Sequence, residues 1–250
     1  MNAKVVCSIG GLTLFVSSLT FGQAAQETSD SQQSAARIGQ HYVEQARSRY
    51  ADSLATAREL LKAVNALTSK PSPETHRQAK DAWIRAHSIY SQTEVFRFGN
   101  PNVDQWESKV NAWPMDEGFV DYVVAPYVHD PGNPHGKENL IGSPKYILQD
   151  DYLAEYQAGT DPKAAPTTTF TNSETNISTG FHVIEFLLWG QDLNETPNSA
   201  GKRPYTDFVV GEGGTNGFGR RRCEYINAAA RLLVSDLQLM VTDYQWQTLN

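Results

Sequence analysis

His182 and Glu185 stand three residues apart inside the run Gly180-Phe-His-Val-Ile-Glu-Phe-Leu-Leu-Trp-Gly190. On a helix, residues i and i+3 share a face, with β-carbons roughly 5–6 Å apart. An imidazole and a carboxylate so placed can hold a metal ion together, or hydrogen-bond to each other. Bundle-core di-iron proteins use the same two residues in the order Glu-x-x-His. A transition metal takes about four donors, so other elements must supply the rest. The plainer alternative is a histidine that only satisfies hydrogen bonds within a core.

Two other stretches offer partners. Trp83, His87, Tyr90, Glu94 and Arg97 recur at helical spacing and line one stripe. Beside it run Ala82, Ala86, Ile89, Thr93 and Phe96, an apolar stripe. Glu94 can be a ligand, or the partner of Arg97 one turn on. In Trp113-Pro-Met-Asp116-Glu117-Gly-Phe-Val-Asp121-Tyr122, three acids follow a Trp-Pro break. They can be ligands, or an acidic helix start favoured by the helix dipole. The candidate metal ligands are therefore His182, Glu185, Glu94, Asp116 and Glu117, with Arg97, Trp113 and Asp121 beside them. In a hydrolytic site, Glu117 or Glu94 is the candidate base for metal-bound water. The other histidines carry less. His41 and His76 fall on polar helix faces, and His129 and His135 in a Pro/Gly loop. No HExxH, GxSxG, P-loop or dinucleotide fingerprint is present.

The elements that must hold these residues read as helices. Leu54, Ala57, Leu61, Val64 and Leu67 predict a long helix from about Ala35 to Ser69. Ser72-Pro73-Glu74 is a strong start signal for a second helix, running to Phe98 before Gly99. A short helix is expected at Val103–Val110, a turn or two at Met115–Val124, and another short helix from Pro144 to about Tyr156. The His182 helix closes at Gly190, and a last helix runs from Arg220 to about Tyr244. Strand-like alternation is nearly absent, so the expected fold is all-α, an up-and-down helical bundle with long loops.

The N-terminus differs in kind. Lys4 precedes an apolar run from Val5 to Phe21, and Gly22-Gln23-Ala24 offers small residues for cleavage. Residues 1–24 are expected to be a secretory signal peptide, 25–34 a polar disordered lead-in, and 35–250 the helical domain. Cys7 leaves with the signal segment, so Cys223 has no partner for a disulfide within the mature chain. Acidic residues number 28 against 21 basic ones. That balance argues against nucleic acid, whose binding needs phosphate neutralisation, and suits a cationic ligand. Membrane association stays open, but no transmembrane helix is expected once the signal is removed.

Several stretches together resemble the imelysin family, peptidase family M75. They are Gly180-Phe-His182-Val-Ile-Glu185 with its continuation to Asn194, Ala82–Gly99, Asn111–Val123 and Gly201–Phe208. The nearest branch in character is the iron-regulated imelysin-like proteins of the bacterial envelope. The resemblance implies an all-helical, exported protein of the periplasm or cell envelope, associated with iron uptake. Its functional site would be the GxHxxE motif, here Gly180, His182 and Glu185. It implies a divalent or ferric ion as cofactor, iron or zinc, and envelope iron-uptake proteins as partners. Fuller members resemble two packed bundles, and the second is expected to be missing here. Two other functions remain open, a metallopeptidase and a non-metal structural or partner-binding protein.

Overall fold

The computed structural model describes residues 19–98, 100–129, 131–157, 175–193 and 200–242. The fold is all-α, and no strand occurs among the described residues. The chain divides into two compact units, Met1–Gln45 with Gln245–Asn250, and Ala46–Tyr244.

In the first unit the described residues belong to α1 (Leu19–Ser69), and side chains 31–45 are exposed or half-buried. The segment 25–34, expected to be disordered, is helical, and α1 starts at Leu19 rather than near Ala35. Ala and Gln are good helix formers, and an existing helix extends at one hydrogen bond per residue without an apolar stripe. Of the expected signal segment, residues 1–18 lie outside the described residues. Among the described residues no helix is long and apolar enough to cross a membrane.

The second unit begins where α1 acquires a buried face. Ala46, Tyr50, Ser53, Ala57, Leu60, Val64 and Leu67 alternate in steps of four and three, and all are buried. Leu60 fills the place expected of Leu61, because this spacing averages 3.5 residues, the bundle seam. Ser72 caps α2 (Pro73–Tyr90) by accepting from the Thr75 backbone N–H, and the Thr75 hydroxyl reciprocates. The expected α-helix to Phe98 instead tightens into a 3₁₀ segment, Ser91–Phe96. His76, expected on a polar face, is buried, and its Nε2–H donates to the Leu188 carbonyl at 2.8 Å.

The remaining elements are α3 (Pro101–Val110), α4 (Glu117–Val120), α5 (Asp150–Gln157), α6 (Phe181–Trp189), a 3₁₀ turn (Tyr205–Phe208) and α7 (Gly219–Thr242). α5 begins at Asp150 rather than Pro144, because residues 144–149 form turns. Arg221 holds that loop, donating to the carbonyls of Leu140, Ile141, Ser143 and Tyr146.

α6 is the core helix and packs against α2, α4 and α7. Phe181, Val183, Ile184, Phe186, Leu187 and Leu188 are all buried. Burying each such side chain is worth about 1.5–3 kcal/mol, so α6 is anchored by packing rather than by caps. Only His182, Glu185 and Trp189 keep exposed surface, which turns the polar face of α6 outward.

Candidate functional site

Gly180 sets how α6 starts. Its backbone has φ +90 and ψ −176, a region essentially restricted to glycine. A β-carbon there would lie 2.6 Å from the Val110 carbonyl oxygen and 2.8 Å from its carbon. The glycine thus lets α6 begin directly against the C-terminal end of α3. This close approach brings His182 and Glu185 beside Glu107, Asn111 and Trp113 in one cleft of about 970 Å³.

Within the cleft, His182 Nδ1 lies 2.9 Å from Glu185 Oε2. The carboxylate can only accept, so Nδ1 carries the proton, and in the neutral ring Nε2 keeps a lone pair. Trp113, 64% exposed, lies against His182 with ring centroids 4.9 Å apart. On the other side His87 meets His182 edge-on at 5.4 Å. His87 stacks on Trp83 at 4.7 Å, and the Trp83 indole N–H donates to the Phe181 carbonyl. His87 Nε2 lies 3.0 Å from Asn111 Oδ1, while Asn111 Nδ2 donates to Glu107 Oε1. Burial lowers the His87 pKa against the Asn111 bond, and His182 adds to the lowering.

The far wall is acidic. Arg97 pairs with Glu94 at 3.2 Å, with Asp104 at 2.7 Å, and with Glu107. Burial, with a hydrogen bond that its protonated form donates to Glu94, pushes Glu107 up to about 7. One guanidinium therefore serves three carboxyl groups, and Glu185 adds a fourth carboxylate to the lining.

The sequence-predicted residues separate into two sets. His182, Glu185, Glu94, Arg97 and Trp113 line the cleft, and Gly180 builds it. Asp116 does not line it. It is buried elsewhere, bonded by Asn133 at 2.5 Å and by the Thr175 hydroxyl at 2.8 Å. Asp121 is also buried. It binds Arg203 and Arg222, each at 2.7 Å. Asp207 accepts from the same Arg203 at 3.0 Å and from Tyr122 at 2.7 Å. This Asp–Arg network ties α4, the 3₁₀ turn and α7 together and is a structural staple. Glu117 is half-buried and lies outside the cleft lining. Burial pushes it up to about 7, countered by Arg203 and reinforced by Asp192 and Glu185. Asp104, Glu107 and Asn111 were not anticipated, although their i, i+3, i+7 spacing on α3 marks one face.

The donor chemistry of the cleft, an imidazole lone pair among carboxylates, fits a nitrogen/oxygen metal ion. The geometry does not close a coordination sphere, since among the described residues no three His, Cys, Asp or Glu side chains converge tightly enough to hold a metal. Comparison with known proteins gives one family. The family model described as imelysin, Peptidase_M75, matches residues 46–250. No curated protein matches the chain.

Proposed function

The chain belongs to the imelysin family, and we propose on that footing that it is an exported metal-binding protein of the bacterial periplasm or cell envelope, serving iron acquisition. The cleft between α3, α6 and the 3₁₀ segment that follows α2 is its binding site. One observation carries the reading: Glu185 holds the Nδ1 proton of His182, leaving Nε2 as a lone-pair donor on a residue that lines an acidic cleft. A carboxylate that orients a ligating histidine in this way fixes its tautomer and raises its basicity. His182 would supply nitrogen and Glu94 oxygen, with Glu185 as the carboxylate that orients the ring. The ion would be iron or zinc. Export rests on the basic start, apolar run and small residues of segment 1–24.

Titration of the chain with Fe(II) and Zn(II), beside His182→Ala, tests this. The wild type is expected to bind one ion per chain and the variant to bind at least about tenfold more weakly, the loss that even an outer-shell partner commonly brings. Equal stoichiometry and affinity in both would overturn it.

Peptidase activity has a weaker footing. The residue one turn beyond His182 is Phe186, buried in the core, so the two-histidine helix of zinc peptidases is not available.

A further inference from the structure

A second cavity, of about 510 Å³, runs along one face of α7 and shares no lining residue with the cleft. Arg221, Glu224, Asn227 and Arg231 line it at steps of three, three and four, which is one side of a helix. Tyr146 and neighbouring turn residues complete the lining. A cavity of this size holds a small molecule.

Both arginines commit the same two atoms to the protein. Arg221 donates from Nε and Nη2 to the carbonyls of Leu140, Ile141, Ser143 and Tyr146. Arg231 donates from Nε and Nη2 to the two oxygens of Asp150, at 2.9 and 2.6 Å. A guanidinium has five N–H donors in a fixed fork, so each arginine keeps Nη1, with two donors, unclaimed among the described residues. Arg221 also lacks a counter-charge. Arg97, Arg203 and Arg222 all pair with carboxylates, whereas the acceptors of Arg221 are all neutral carbonyls. Burial lowers the Arg221 pKa, and the charge of Glu224 offsets this only in part. A half-buried cation with unused donors is stabilised by an anion that reaches it.

The placing of the two arginines selects the anion. They stand ten residues apart on α7, so their α-carbons are about 15 Å apart at 1.5 Å per residue. A single carboxylate satisfies one of two cations so spaced, and a molecule with a carboxylate at each end satisfies both. We propose that this cavity binds a small dicarboxylate, one end on Nη1 of Arg221 and the other on Nη1 of Arg231. Glu224 stands between them on the same face and opposes the anion. The site is separate from the His182 cleft, and its chemistry is the reverse: an anion held by cations.

The probes are α,ω-dicarboxylates from succinate to pimelate, with butyrate as the single-ended control, titrated by calorimetry into the full chain at low ionic strength. The wild type is expected to bind one dicarboxylate per chain, the best of the series at least about tenfold tighter than butyrate, the gain from a second charge-assisted pair. Arg231→Gln alters a half-exposed side chain and should lose that advantage over butyrate. Glu224→Gln removes only an opposing charge and should tighten binding about threefold, a gain that a purely structural role would not produce. Arg221→Lys keeps the charge without the fork and should weaken binding. Because Arg221 also holds the turn at residues 140–146, the other two variants decide the matter if this one fails to fold. No dicarboxylate binding at millimolar concentration, equal affinity for butyrate, or affinity unchanged in Arg231→Gln would overturn the proposal.

Discussion

Gly180→Ala is expected to injure both stability and metal binding, though the side chain added is a single methyl group. Alanine would have to keep φ +90 and ψ −176, at a cost of about 1–3 kcal/mol. Its β-carbon would stand 2.6 Å from the Val110 oxygen, 2.8 Å from the Val110 carbon and 3.0 Å from the Lys109 oxygen. These are backbone atoms at the end of α3 and cannot rotate away, so α6 or α3 must shift, at roughly another 1–3 kcal/mol. For a chain of this size, 1 kcal/mol moves Tm by about 2–4 °C. The sum predicts a fall on the order of 10 °C. The shift separates α6 from Asn111 and Trp113, so Zn(II) affinity of the folded protein should fall too. Thermal unfolding by circular dichroism and Zn(II) calorimetry at a temperature where the variant is folded are the assays. A Tm within about 2 °C of wild type, with unchanged affinity, would refute the claim that this glycine seats α6 against α3.

Other perturbations separate scaffold from site. Asp121→Asn leaves Arg203 and Arg222 short of a buried counter-charge; denaturant unfolding should show a loss of about 3–5 kcal/mol, with Zn(II) affinity of the folded protein within twofold of wild type. His76 is held neutral by burial, its pKa pushed down to about 4. Unfolded histidine binds a proton near pH 6.5 and the folded one near pH 4, so His76 stabilises the fold above pH 6.5 and that contribution is lost as pH falls toward 4. Stability measured between pH 7 and 4.5 should therefore decline less steeply in His76→Gln than in wild type.

The helices were legible in the sequence because their signals are local. Ser72, Pro73 and Thr75 cap α2 whatever packs on it, and Gly190 ends α6 with the positive φ expected of it. The His182–Glu185 face was legible for the same reason, since three residues of helix fix it. What sequence could not give was the choice among acids. Glu94, Asp116, Glu117 and Asp121 are chemically alike in the sequence, and only tertiary contacts separate them. Asn133 and Thr175 surround Asp116 from far along the chain, while Arg203 and Arg222 come to Asp121 from 82 and 101 residues away. Arg203 and Asp207 were in view within Gly201–Phe208, but a buried ion network has no sequence period. The register slip from Leu61 to Leu60 is of another kind. Both are leucines, and the seam's partners decide which one turns inward.

The central claim is that a metal ion binds through His182 in the cleft between the 3₁₀ segment Ser91–Phe96, α3 and α6. Anomalous diffraction at the zinc edge, from crystals of the chain equilibrated with Zn(II), tests it most directly. The account predicts a peak about 2.0–2.1 Å from His182 Nε2, absent from crystals of His182→Ala. A peak confined to surface residues, or no peak near His182 at saturating zinc, would contradict it.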